Sequence, residues 1–309
     1  MDYLLLLLGF IVLIGSGEVL VRGAAGIALK FNIPPLVVGL TVVSLGTSAP
    51  ELLASLQAVW KGAPDICIGN VVGSNIANLG LVLGVTGLFF PVVIARKVMR
   101  LDWPVMMLTT GLFAFVMWDL MITFWEGFML VTALASYMGF LVWNSRRNRD
   151  KEPAEIGEVA AKPYWALTAL LLVGCVGLYF GAEWLLEGAL GIARSFGVSE
   201  HVIGVTIIAF GTSIPELATS VAAAIKKQMD ISIGNLIGSN IFNILGVIGV
   251  TSMVEPIGVA PVVMSEDIYW VAGIAAVLLP MFLISRKIGR IKSLVLLGAY
   301  IAYLFSVVA

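Results

Sequence analysis

Ten apolar stretches follow one another along the chain, at roughly 3–29, 35–60, 66–90, 101–118, 124–144, 163–193, 200–225, 231–253, 267–285 and 290–308. A helix needs about 20 apolar residues to cross the hydrocarbon core of a bilayer. Inside lipid every backbone amide and carbonyl must find a partner within the protein, so only helices and closed barrels can span. These stretches lack the alternation of barrel strands. The chain is therefore read as an all-α polytopic membrane protein. Composition agrees: 12% of residues are charged, against roughly 25% in soluble domains. The first stretch lacks a basic leader and a small-residue cleavage site, so it reads as a span and not as a signal peptide. Two cysteines, Cys67 and Cys175, in apolar surroundings suggest neither a disulfide framework nor a zinc site.

Lysine and arginine collect in cytoplasmic loops. Sixteen of the 18 fall at odd-numbered junctions between spans, Lys61 and Arg194 being the exceptions. Ten spans with both termini extracellular satisfy that pattern. The longest polar stretch, 144–162, becomes a cytoplasmic linker between two five-span units, 1–143 and 163–309.

These units resemble each other at an offset of 165 residues. "GTSAPE" at 46–51 meets "GTSIPE" at 211–216, and "DICIGNVVGSNIAN" at 65–78 meets "DISIGNLIGSNIFN" at 230–243. Glu18 meets Glu183 and Pro91 meets Pro256 without a gap. Five is odd, so the second unit enters the membrane from the opposite side. Secondary transporters commonly use such inverted repeats, with a site near the midplane where the repeats meet.

The best-matched stretches are polar and lie at membrane depth. Gly46 and Pro50 weaken the second span, because proline lacks an amide and crowds the carbonyl four residues back. Thr47 and Glu51 share a helix face, as do Ser74 and Asn78. Thr212 with Glu216 and Ser239 with Asn243 repeat the spacing. The spans that carry the two glutamates contain no Lys or Arg. A carboxylate at the bilayer centre costs about 2.5–3.5 kcal/mol even on the lenient insertion scale, so the compensating charge must be mobile: a metal cation or protons. Carboxylates, hydroxyls, amide oxygens and carbonyls make an all-oxygen ligand set, suited to hard ions such as Ca²⁺ and Na⁺.

The paired motifs, present once in each half, resemble those of the sodium/calcium exchangers of the Ca²⁺/cation antiporter superfamily. The likeness covers essentially the whole chain. It implies ten helices in a five-plus-five inverted arrangement, with discontinuous helices 2, 3, 7 and 8 around the ion site. Carried over residue by residue, Glu51 and Glu216 would be the central Ca²⁺ ligands, completed by backbone oxygens of Thr47 and Thr212. Ser48 with Ser74 on one side, and Ser213 with Ser239 on the other, would form flanking Na⁺ sites together with the threonine hydroxyls. Carbonyls of Ser44 and Ala209 would contribute to Na⁺, and Asn78 and Asn243 would line the centre. The long first and sixth helices would slide across this core.

The resemblance implies an electrogenic Na⁺/Ca²⁺ antiporter of the prokaryotic plasma membrane. Its partners would be inorganic cations and the lipid bilayer, with no nucleic acid, cofactor or obligatory protein partner. Asn243 stands where some relatives carry an aspartate associated with potassium-dependent exchange, so K⁺-independent transport is expected. Ca²⁺/H⁺ exchange remains the alternative. An intramembrane enzyme with Ser48 or Ser213 as nucleophile is disfavoured, because the sole histidine, His201, has no counterpart in the first half. Asn70, Asn75, Asn235 and Asn240 are expected to be structural hydrogen bonders. Asp65 and Asp230 are expected to cap helices, and Glu18 to pair with Arg22 one turn on.

Overall fold

The computed structural model describes residues 1–31, 33–62, 65–147, 162–196 and 211–308. These residues are almost entirely helical. Among the described residues eight helices are long and apolar enough to cross a membrane: α1 (Asp2–Lys30), α2 (Pro35–Trp60), α3 (Ile66–Phe89), α5 (Phe124–Arg147), α6 (Tyr164–Ser195), α8 (Met229–Val254), α9 (Val263–Ile284) and α10 (Arg290–Val308). Two described helices are shorter, α4 (Trp103–Val116) and α7 (Ile214–Ile225). The first part of the span expected at 200–225 lies outside the described residues.

Several elements begin 165 residues apart. The last stretch of α2, Ala49–Trp60, matches α7, Ile214–Ile225. A π-helical turn opens at Asn78 in α3 and another at Asn243 in α8. The π turn Val98–Asp102 before α4 matches Val263–Asp267 in α9. Two short antiparallel ribbons also join the halves. Strand β1 (Val92–Val93) pairs with β4 (Lys287–Ile288), and β2 (Met121–Ile122) pairs with β3 (Ile257–Gly258).

Burial sorts the helices into an inner and an outer set. In its apolar stretch α8 has 83% of its residues buried and α3 has 72%, whereas α1 has 28% and α5 22%. The inner helices carry the polar motifs. Glycines let α8 approach α2: a side chain at Gly234 would strike the Leu36 carbonyl, and one at Gly238 would strike Leu40 and Ser44. Such small-residue contacts are the usual membrane packing device. Outside this core, α1 and α6 lie antiparallel along their length, with Gly188 against Leu6, Gly181 against Leu13 and Gly174 against Leu20.

Three expectations are corrected. Helices α3 and α8 are continuous and not broken. They contain no proline, and the π turns at Asn78 and Asn243 absorb the irregularity without interrupting the helix. Asp230 is not an N-cap: Gln228 occupies that position, and Asp230 sits in the first turn, where the helix dipole favours a carboxylate. Asp65 is likewise already helical, one residue ahead of the apolar stretch given for α3.

Candidate functional site

Two matched helix bends set the site. Within α2 the chain is α-helical over Ser44–Thr47, bends once at Ser48 (φ −88°, ψ 4°) and resumes at Ala49. Pro50 falls in the first turn of the resumed helix, where an absent amide leaves no bond unmade. The interruption is one residue wide. Glu51 stands in that same first turn, near the positive end of the new helix dipole. Ser213 bends in the same way (φ −88°, ψ 3°), and Pro215 and Glu216 open α7.

Both glutamates are fully buried, as are Ser44, Thr47, Ser48, Ser74, Ser239, Asn78 and Asn243. Ser213 is buried too, and Thr212 is half-buried. Glu216 Oε1 accepts hydrogen bonds from Ser48 Oγ (3.2 Å) and Ser239 Oγ (3.4 Å). Its other oxygen has no partner among the described residues, and neither has either carboxylate oxygen of Glu51. The Ser213 hydroxyl and both ends of the Asn78 amide are also without a partner there. A buried polar atom left unbonded costs roughly 1–3 kcal/mol, and more when charged. Six such atoms on Glu51, Glu216, Ser213 and Asn78 therefore mark a place built to hold something polar.

The remaining hydroxyls pair across the two halves. Thr47 Oγ1 lies 3.3 Å from Ser239 Oγ, and Ser74 Oγ lies 3.3 Å from Thr212 Oγ1. Each of these contacts joins a threonine of one half to a serine of the other. Because Gly234 and Gly238 seat α8 against α2, the hydroxyl beside Thr47 comes from α8 and not from α3. The Ser44 carbonyl accepts the Ser48 amide (2.9 Å) and the Thr47 hydroxyl (3.4 Å), while its own hydroxyl turns back to the Leu40 carbonyl. Asn243 Nδ2 donates to Asn75 Oδ1 (3.2 Å), and its own oxygen is unpartnered among the described residues. Ala209 and His201 lie outside the described residues.

The four further asparagines do form hydrogen bonds. Asn70 Nδ2 reaches the Glu51 carbonyl and Ser55 Oγ, and Asn240 Nδ2 returns to the Leu236 carbonyl. Two of them touch the site itself. Asn235 Oδ1 accepts the Thr47 hydroxyl (3.0 Å), and Asn75 holds Asn243 while donating to the Asn240 carbonyl. Asn235 precedes Ser239 by four residues, the same spacing that placed Ser239 with Asn243, so its signal was present in the sequence. Glu18 pairs with Arg22 as expected and also with Lys226, at 2.7 Å, beyond the end of α7.

The model of a family described as sodium/calcium exchanger protein matches residues 1–143 and 166–309. The chain is 30% identical to the sodium/calcium exchanger MaX1 of Methanosarcina acetivorans, over 98% of this chain and 97% of that one. It is 32% identical to the inner membrane protein YrbG of Escherichia coli, with 97% and 94% covered. A solved structure of the sodium-calcium exchanger NCX_Mj superposes with a TM-score of 0.84 at 32% identity, covering 99% of this chain and 98% of that one.

Proposed function

We propose, because the chain belongs to the sodium/calcium exchanger protein family, that it exchanges several Na⁺ for one Ca²⁺ across the membrane by alternating access. It is a multi-pass membrane antiporter, and its relatives are transporters. The observation that carries the reading is the pair of buried glutamates with three carboxylate oxygens unpartnered among the described residues. Two carboxylates neutralise one Ca²⁺. Ca²⁺ takes 6–8 oxygens in flexible geometry; the hydroxyls of Ser48 and Ser239 already meet Glu216, with Thr47 beside Ser239, and those of Ser74, Thr212 and Ser213 are assigned to the flanking Na⁺ positions. Several Na⁺ can occupy the same oxygens, so the two ions compete. Asn78 and Asn243 line the centre, and the carbonyls of Ser44 and Ala209 serve Na⁺.

The architecture proposed with this is ten spans in two inverted repeats. Elements matched at an offset of 165 residues and the two ribbons that join the halves support it. The ribbon of β1 and β4 carries Arg96, Lys97, Arg286, Lys287 and Arg290 nearby, whereas that of β2 and β3 has Asp119 and Glu255. The basic ribbon is placed in the cytoplasm with the 144–162 linker, and both termini outside.

Vesicles loaded with Na⁺ should take up ⁴⁵Ca²⁺ on dilution into Na⁺-free medium, with no acceleration by K⁺. Moving one net charge is worth about 2.3 kcal/mol per 100 mV, so a clamped potential should bias the uptake. Uptake that ignores Na⁺ and follows a pH gradient would replace this reading with Ca²⁺/H⁺ exchange, a chemistry the same two carboxyls can support.

A further inference from the structure

The two halves differ in how the outer helices close on the core. Helix α1 packs on α7, with Gly17 against the backbone of Ala218 and Thr219. Among the described residues no comparable packing joins α6 to the Ala49–Trp60 stretch of α2. Leu53, which matches Ala218, remains 46% exposed. An ion pair sits on the closed contact. Glu18 of α1 meets Lys226, the C-terminal capping residue of α7, at 2.7 Å. The matched residues are Glu183 of α6 and Lys61, which caps the C-terminal end of α2. Both are exposed, and among the described residues they form no ion pair.

We infer that Glu18–Lys226 and Glu183–Lys61 are two alternating latches, one holding each face of the transporter shut. This rests on the inverted-repeat reading given above. If the two repeats exchange conformations during a cycle, α6 comes to pack on α2 as α1 now packs on α7. Glu183 then reaches Lys61 while Glu18 leaves Lys226. Each lysine also suits its place at a helix C-terminus, where a cation is favoured whether or not the latch is engaged. The latches differ in strength. Arg22 shares Glu18 and stays on the same helix when the latch opens, so Glu18 keeps a partner throughout. Glu187 stands where Arg22 would be matched, one turn from Glu183. Glu183 therefore has a like charge beside it, and Lys61 relieves that repulsion on closure.

Two double-cysteine variants of the full chain test this, Glu18→Cys with Lys226→Cys and Glu183→Cys with Lys61→Cys, each carrying Cys67→Ala and Cys175→Ala. In reconstituted vesicles a short bifunctional thiol reagent should join either pair. Conditions that raise one cross-link should lower the other as Na⁺ replaces Ca²⁺, and each cross-link should stop exchange. Glu18→Gln should shift the apparent KM for Ca²⁺ by up to about five-fold, in opposite directions at the two faces. The charge swap Glu18→Lys with Lys226→Glu should recover most of that shift. The inference is overturned if Glu183→Cys and Lys61→Cys never join while the variant, before reagent, exchanges normally. It is also overturned if the two cross-links rise and fall together. Cross-linking is read on the protein, so it stays informative even if the driving ion proves to be H⁺ and not Na⁺.

Discussion

Glu51 and Glu216 occupy matched places in matched motifs, yet the structure surrounds them differently. Glu216 has one oxygen tied to Ser48 and Ser239, whereas Glu51 has neither oxygen tied. The hydroxyls that would correspond are present: Ser213 is unpartnered, and Ser74 is engaged with Thr212. The motif therefore supplies the ligands but does not decide which of them are engaged. The same inequality appears in the packing around them: α1 lies against α7, the helix that carries Glu216, and among the described residues no comparable contact joins α6 to the Ala49–Trp60 stretch that carries Glu51. Under the inverted-repeat, alternating-access reading proposed above such an inequality is expected, because two halves in the same state would open both faces or neither.

The most severe way to break the comparison is to remove one charge at a time. Glu51→Gln and Glu216→Gln should each reduce Na⁺-driven ⁴⁵Ca²⁺ uptake by roughly 100-fold or more, since an all-oxygen Ca²⁺ site depends on its carboxylates. Both should still elute as folded protein, because a neutral amide eases the burial of a charge. Uptake near the original rate in either variant contradicts the site.

A smaller effect is expected where α8 meets α2. Gly234→Ala drives a methyl into the Leu36 carbonyl and should cost about 1–3 kcal/mol. The measurement is the thermal midpoint in detergent, and an unchanged midpoint would mean that the two helices are not in that contact. Smaller again is the difference between the serines at the two bends. Ser48→Ala removes a donor to Glu216 and should lower stability by about 1 kcal/mol in ion-free buffer. Ser213→Ala removes a hydroxyl without a described partner and should leave it unchanged or raise it slightly. Equal losses would mean that the asymmetry is not a property of the protein in solution.

Much of the fold was legible because its two main signals are long. Apolar runs extend over the whole chain, and the described helices fall where those runs lie. The bend at Ser48 was readable from Gly46 and Pro50. The continuity of α3 and α8 was not, because a π turn inserts one residue without any proline or break in hydrophobicity to announce it. The pairing of Thr47 with Ser239 was also hidden. Helical spacing says which residues share a face but not which neighbour that face meets, and here close approach at Gly234 and Gly238 decided it. Asn235 was legible in part: its spacing from Ser239 puts both on one face, but its partner, Thr47, lies 188 residues away. Glu18 was half legible, since Arg22 is local but Lys226 is brought in only by packing.

At the centre of the proposed exchange is one shared Ca²⁺ held between two glutamates from opposite halves. Equilibrium ⁴⁵Ca²⁺ binding to the purified protein tests it most directly. One Ca²⁺ should bind per chain, be displaced by Na⁺, and be lost on either Glu51→Gln or Glu216→Gln. Undiminished binding in either variant, or Ca²⁺ that Na⁺ cannot displace, would contradict it.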